Sequence, residues 1–399
     1  MKTAAVIAEY NPFHRGHAYQ LGRLRDEYGV THTAAVMSTS VTQRGEPALS
    51  DMFLRAQAAV TGGADAVFAF PYVYSAQTAE IFAGGGVRLA DRLGADILAF
   101  GCEDDEPELF SRTAEILINE PGEYKEQLRF GLDQGLSFAV SRQKALESVM
   151  KCSLDLIKRP NNILAVEYIK ALKMINSPVR PVLIKRHKAE HDSRSISGTF
   201  ASSSHIRKMI LSGNEQSIAE CLPQNEAARE LILNADHNDI ERYKHIIKAF
   251  ILMSPDEKIR KTAYYEQGLE KRMRKFTGLL DSGAEIYIQA VSSSRYTKNR
   301  IRRLIANLIL GYSAEDLAFF RNYTPRFIRL LAADEKGREL VRFIKQNGRI
   351  TVVSNVLRQT GRMNEHDRRI ADFDCAAYDL YHLFSEGKDS RKLHPVIIG

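Results

Sequence analysis

The sequence predicts an α/β protein, with a parallel sheet covered by helices on both faces and a mostly helical C-terminal part after it. Three observations predict this. Five short apolar runs, at 4–8, 33–37, 66–70, 97–100 and 182–184, are each long enough for one buried strand. Amphipathic patterns at 51–61, 77–93 and 162–173 lie between them, and strand–helix–strand alternation with connections of this length implies a parallel sheet. From about residue 213 strand signals nearly vanish, and charged helical segments take over at 225–234, 236–253, 264–280 and 298–310. The expected division is therefore 1–215 and 216–399.

The first run, Ala4-Ala5-Val6-Ile7-Ala8, leads into Glu9-Tyr10-Asn11-Pro12-Phe13-His14-Arg15-Gly16-His17 and then into a helical pattern from Ala18. Pro and Gly thus fall in a strand-to-helix turn, where free backbone N–H groups and the positive helix end can hold phosphate. His14 and His17 are three apart and share a face of the first turn. Imidazoles there can donate to phosphate oxygens and stabilise charge developing in phosphoryl displacement. A capped helix start with two surface histidines is the plainer reading, but a Gly between them, directly after a first strand, favours the phosphate site.

The second run is followed by Val41-Thr42-Gln43-Arg44-Gly45-Glu46-Pro47-Ala48, either an ordinary exposed loop or an anion contact through Arg44. Gly84-Gly85-Gly86 lacks the Lys-Ser/Thr of a P-loop and fits close helix packing instead. In a sheet of this kind ligands bind beyond the carboxyl ends of the strands, at the switch point. Met37-Ser38, Pro71-Tyr72 and Gly101-Cys102-Glu103 fall at those ends with the opening turn, so one site from four loops is expected. Lys158-Arg159-Pro160-Asn161-Asn162 enters a helix, its Asn residues being caps or contacts to a nucleotide. Lys185-Arg186-His187-Lys188 closes the fifth run, as a surface charge cluster or part of the same site. In Ala201-Ser202-Ser203-Ser204-His205-Ile206-Arg207 the serines cap a helix, and Arg207 stands in its first turn. A cation opposes the dipole there, which points to a phosphate partner.

At 399 residues the chain holds two to three domains' worth of sequence. Its 44% hydrophobic and 26% charged residues are ordinary for a soluble globular protein. No run approaches the ~18 apolar residues that span a membrane, and the N-terminus lacks a signal-peptide layout. Four scattered cysteines (Cys102, Cys152, Cys221, Cys375) form no CxxC pair, so a reducing cytoplasm is expected, with no disulfide framework or structural zinc. No metal-ligand spacing occurs, and any metal is expected to be Mg²⁺ travelling with a nucleotide. The net charge is +7, and between 241 and 303 fifteen Lys and Arg meet seven Asp and Glu, an excess that alone accounts for it. Such a patch is the footprint of a nucleic-acid face or a solvated helical surface.

Together, His14-Arg15-Gly16-His17 and Ser202-Ser203-Ser204-His205-Ile206-Arg207 resemble the HxGH and ISSTxIR motifs of the HIGH-type nucleotidyltransferases, whose sheet is Rossmann-like (HUP-type), with Ser204 where Thr is commoner. Over roughly residues 1–310 the chain resembles the tRNA(Met) cytidine acetate ligase family, in Glu9 to His17, the Gln43 to Ala48 loop, Phe100-Gly101, Pro160 to Leu164 and Arg295-Tyr296-Thr297 with Arg300 and Arg303. The resemblance implies that acetate and ATP give acetyl-adenylate, and that the acetyl group passes to N4 of the wobble cytidine of elongator tRNA(Met) without acetyl-CoA. It implies catalytic roles for His14 and His17 at the α-phosphate, and for Ser204 and Arg207, with Ser202, at the departing pyrophosphate. ATP would be held by Ile7-Ala8-Glu9-Tyr10-Asn11-Pro12-Phe13-His14-Arg15-Gly16-His17-Ala18-Tyr19-Gln20, Gly101, Asn162, Arg186 and His187. Arg295, Tyr296, Arg300 and Arg303 would bind tRNA. The motifs alone also allow a small-molecule adenylyltransferase of the pantetheine-phosphate or nicotinamide-mononucleotide type, or a non-catalytic RNA-binding protein. The large basic helical half argues against the first, and intact His14, His17 and Arg207 against the second.

Overall fold

A computed structural model describes residues 1–152, 158–186, 201–384 and 390–399. All five expected strands form: β1 (Thr3–Ala8), β2 (His32–Ser38), β3 (Ala66–Phe70), β4 (Ile97–Cys102) and β5 (Arg180–Lys185). They lie in the order β5-β4-β1-β2-β3 with every pair parallel. Ala5 packs into the core on one face of the sheet, Ala4 and Val6 into the core on the other. That two-sided burial explains why these runs are continuously apolar. The glycine triplet does pack closely: a Cβ on Gly86 would come within 2.3 Å of Ile7 Cδ1, and one on Gly85 within 2.4 Å of Tyr74 Cγ. The helix Ala79–Arg92 can therefore lie directly on β1.

The expectation that strands nearly vanish after residue 213 needs correction. β6 (Phe327–Ala333) pairs antiparallel with β3, while β7 (Thr351–Val353) and β8 (Val396–Ile397) pair parallel with β6. Arg329 interrupts the apolar run of β6, yet its guanidinium is buried and lies 5.2 Å from the centroid of the Phe53 ring. A further helix, Glu365–Tyr381, follows, capped by Asn364 and buried through Ile370, Phe373, Ala377 and Tyr378. Beyond residue 215 the chain still touches the sheet: Ile218, Leu222 and Ile232 share a core with Val6 and Met37. The helices that build a core of their own fall between Tyr243 and Leu308.

Chain order breaks at β1, which has β4 on one side and β2 on the other. This is the switch point, and the turn after β1 sits at it. The strand ends are bound together by Arg55 of helix α2 (Met52–Thr61), which is 2% exposed. Its Nε donates to Ser50 O (2.9 Å), its Nη1 to Glu9 O (2.7 Å) and Ser38 O (2.9 Å), and its Nη2 to Thr39 O. A buried carbonyl without a donor costs about 1–3 kcal/mol. Arg55→Met should therefore lower stability by at least ~3 kcal/mol, read as the urea midpoint. Arg55→Lys, which cannot fork across several acceptors, should fall between the two. A Met variant as stable as wild type would show that the clamp is dispensable.

Candidate active site

The turn after β1 is fixed at several points. Glu9 Oε1 accepts the Gln43 N–H (2.8 Å), and Asn11 Oδ1 accepts the Leu49 N–H (2.7 Å). Tyr10 adopts a left-handed backbone (φ +43°), the Asn11–Pro12 bond is cis, and Tyr10 and Phe13 meet edge to face at 5.0 Å. His14 then caps helix α1 (Arg15–Tyr28).

The hydrogen bonds of this cap fix both imidazole tautomers. His14 Nδ1 accepts the Gly16 N–H (3.1 Å), and the His14 backbone N–H donates to His17 Nδ1 (3.2 Å). With both Nδ1 atoms accepting, the neutral rings carry their protons on Nε2. The rings stack at 3.8 Å with 21° between planes. His14 Nε2 lies 3.0 Å from Ser203 Oγ and donates to it. Burial, with the Arg186 charge next, takes the His14 pKa down to about 3. Burial, then His14 and Arg186, holds His17 well below its usual value. Both rings are therefore neutral donors with their N–H groups preset.

The second arm is the helix Ser203–Leu211. Ser202 caps it, accepting the His205 N–H (3.2 Å), so its hydroxyl is committed to the helix. Arg207 donates through Nη1 to Asn11 O (2.8 Å) and through Nη2 to Ser204 Oγ (3.3 Å). Arg207 thus joins two motifs nearly two hundred residues apart. Sequence reasoning selected Ser202 and Ser204 and missed Ser203, the hydroxyl that meets His14. The signal was available: in a run of serines the capping one uses its oxygen on the helix, leaving the next for the site.

Gly101 and Arg186 also gather here. Gly101 pairs with Ile184 across the sheet, and a Cβ on it would approach Arg186 Cγ to 3.3 Å. The Arg186 N–H donates to Cys102 O (2.8 Å), and its charge reaches both histidines. Asn162, fully buried, acts on the loop beyond β4. Its Oδ1 accepts the Glu103 N–H (2.9 Å) and its Nδ2 donates to Asp104 Oδ2 (2.7 Å). Pro71-Tyr72 turns away from the site, Tyr72 donating from N to Asp374 Oδ1 and from its hydroxyl to Asn307 Oδ1, each at 2.6 Å. His187, Lys188 and Ile196 to Phe200 lie outside the described residues.

The basic residues singled out in the helical part are already engaged with the protein. Arg295 pairs with Glu266 (3.1 Å) and lies 5.4 Å from the centroid of the Tyr296 ring. Arg300 pairs with Glu266 (2.6 Å), and Arg303 donates to Gln43 O and Gln77 O (3.1 Å each). Arg303 thus closes the seam between the helices and the loop after β2. Among the described residues no group of three His, Cys, Asp or Glu is placed to hold a metal, and no helix is long and apolar enough to cross a membrane.

The family profile described as HIGH Nucleotidyl Transferase matches residues 1–394. A tRNA(Met) cytidine acetate ligase from Acetivibrio thermocellus is 31% identical, over 98% of this chain and 97% of its own. One from Caldanaerobacter subterraneus subsp. tengcongensis is 34% identical over the full length of both. Thermotoga maritima TmcAL bound with alpha-thio ATP has a TM-score of 0.88 at 28% identity, and its apo form 0.90 at 30%, each covering all of both chains.

Neutral burial of His14 has a consequence for stability. Its folded pKa lies below the unfolded value near 6.5, so the unfolded chain takes up protons first as pH falls. Stability should be full above about 6.5 and decline toward pH 3, with His14 contributing up to ~1.4 kcal/mol per pH unit. His14→Gln should flatten the fall in urea midpoint between pH 6.5 and 4.5. Equal slopes in the two proteins would mean that His14 is not held neutral.

Proposed function

The chain belongs to the HIGH nucleotidyl transferase family and, within it, to the tRNA(Met) cytidine acetate ligases, and from that premise we propose that it joins acetate to RNA in two steps. In the first, a carboxylate oxygen of acetate attacks the α-phosphorus of ATP, the bond to the β-phosphate oxygen breaks, and acetyl-adenylate and pyrophosphate form. In the second, N4 of the wobble cytidine of elongator tRNA(Met) attacks the acetyl carbonyl. AMP leaves, N4 gives up a proton, and N4-acetylcytidine results. Acetate itself is the acetyl source and acetyl-CoA takes no part. The setting is the cytoplasm.

One observation carries this reading. His14 at the start of α1 meets Ser203 on the helix Ser203–Leu211, and Arg207 of that helix reaches back to Asn11, so donors converge where an α-phosphate and a leaving pyrophosphate would lie. His17 presents its Nε2–H to the α-phosphate, and His14, whose Nε2–H donates to Ser203 in the free site, would turn that donor to the phosphate when ATP is bound. Because the rings are neutral, they stabilise negative charge as it develops without binding the ground state as tightly as two cations would. Ser203, Ser204 and Arg207 belong on the pyrophosphate side with Ser202 capping the helix that carries them, and Gly101 and Arg186 border the nucleotide, with Asn162 shaping the loop it rests on. Mg²⁺ fits as the counter-ion of the triphosphate, brought with ATP, since the site's own donors are imidazoles, hydroxyls and guanidinium groups. In the proposed division of labour, residues 1–215 adenylate acetate. Within 216–399 the basic helices between Tyr243 and Leu308 hold tRNA, through surfaces that include Arg295, Tyr296 and Arg300, whereas Arg303 is spent on the seam and is withdrawn from that set.

The direct test incubates the protein with ATP, labelled acetate and elongator tRNA(Met) and looks for N4-acetylcytidine by nucleoside mass spectrometry. A dinucleotide product formed without RNA would overturn the reading. His17→Ala should raise the adenylation barrier by ~2–4 kcal/mol, the scale of one lost electrostatic stabiliser. It should leave tRNA affinity nearly unchanged, and parallel loss of both would contradict separate sites.

A further inference from the structure

The loop 41–48 is a rigid bracket between the adenylation site and the basic helices. Its own backbone closes it: the Thr42 N–H donates to Glu46 O, the Gly45 N–H to Thr42 O and the Ala48 N–H to Ser40 O, each at 2.9 Å. On the site side Gln43 is held by Glu9. On the helix side Arg303 grips Gln43 O, and Glu46 pairs with Arg302 at 3.1 Å. Gly45, at φ +82°, lies so close to the helix Lys298–Leu310 that a Cβ would stand 2.6 Å from Arg303 N.

Within this bracket Arg44 differs from its neighbours. Gln43, Gly45 and Glu46 are tied down, whereas the Arg44 side chain is exposed and engages no described residue by hydrogen bond or ion pair. It lies close enough to Arg207 for its charge to lower that group's pKa, after burial and against Glu9 and Glu46. A guanidinium carried on a stiff loop, with no partner of its own among the described residues, is free to take a phosphate at the mouth of the site. Arg207 is turned inward to Asn11 and Ser204, and Arg44 is the outer of the two. Its loop abuts the helix Lys298–Leu310, whose first residue, Lys298, is exposed, as is Arg295 just ahead of it. A ligand reaching from the site mouth to that helix is a chain of phosphates, not a small acid.

We propose that Arg44 is a positioning residue for RNA, seating a backbone phosphate beside the cytidine to be acetylated; this rests on the acetate-ligase reading above. Phosphate contacts set register while other groups select the base, so Arg44 would align N4 with the acetyl group.

The test compares wild type, Arg44→Ala and Arg44→Lys in two assays: acetate-dependent ATP–pyrophosphate exchange without RNA, and acetylation of elongator tRNA(Met). Exchange should be unchanged. Acetylation by Arg44→Ala should fall about tenfold or more in kcat/KM, mostly through KM for tRNA, and the salt slope of tRNA binding should drop by about one. Arg44→Lys should recover part of the loss. Exchange falling in parallel would assign the arginine to acetate or pyrophosphate and overturn the inference, as would an unchanged KM in Arg44→Ala while wild type acetylates. Failure of wild type itself to make acetylcytidine would instead remove the acetate-ligase reading, and this inference with it.

Discussion

The site depends first on a side chain that takes no part in its chemistry, the buried guanidinium of Arg55. Carbonyls at the carboxyl ends of parallel strands have run out of neighbouring N–H groups, and in a dry interior each must find another donor. Arg55 meets that need for Glu9, Ser38, Thr39 and Ser50 at once. A planar fork can do this where an ammonium cannot. Fixing Glu9 O fixes the origin of the turn that carries the two histidines. Asn11 pins the next segment, its side chain on the Leu49 N–H and its carbonyl under Arg207. The beginning of α2 is secured in turn by Asp51, which accepts from Phe53 N (2.7 Å) and meets His382 Nε2 (2.9 Å) at the far end of the chain. Preorganisation here is thus a matter of backbone carbonyls being satisfied, and the catalytic geometry follows from it.

Electrostatically the site combines neutral donors with positive charges set around them. The stacked imidazoles cannot both be charged at 3.8 Å in a buried place, and the cap hydrogen bonds would in any case be lost from a doubly protonated ring. Arg186 reinforces their neutrality from one side. Arg207 is itself disfavoured as a cation by burial. In the proposed reading a bound triphosphate would relieve that cost, because its charges would compensate the guanidinium groups while the imidazole N–H groups would need only a small adjustment. Fixed dipoles of this sort do not have to reorganise as charge moves to the leaving group.

Much of this could be read from the sequence, and the remainder fails for identifiable reasons. Strands buried on both faces announce themselves as apolar runs, and the five of the N-terminal half were visible for that reason. β6 was hidden because Arg329, which stacks on Phe53, breaks its run, and β8 because two residues show no pattern. The histidine motif named its own site because residue types and turn lie together in sequence. Partner choice is another matter. Whether Ser202, Ser203 or Ser204 faces His14 depends on which one caps the helix. Whether Arg303 faces solvent or a carbonyl depends on where the loop after β2 lies, and Asn162 proves to be a loop anchor because Glu103 and Asp104 come to it from the loop after β4. Spacing carries no information about contacts made across 59 or 260 residues.

The seam between sheet and basic helices carries a further constraint on how the two half-reactions can be organised. An acyl-adenylate is hydrolysed readily, so its acceptor must arrive at a site already shielded from water. Here the wall that shields the histidine turn and the wall that meets the basic helices are the same loop, held by Glu9 on one side and by Arg302 and Arg303 on the other. Tyr72 strengthens the join from below, since its hydroxyl donates to Asn307 on that same helix and its N–H to Asp374 on the last one. Side chains fixed at both ends cannot transmit a large hinge motion. They can hold a polymer in one register relative to a small buried site, which is what acetylating a single exocyclic amine in a long RNA requires. Of the basic residues between 241 and 303, Arg302 and Arg303 fasten the helices to the sheet, Arg272 and Arg274 bind within the helical part, and exposed cations such as Lys271, Lys275 and Lys298 are left facing solvent.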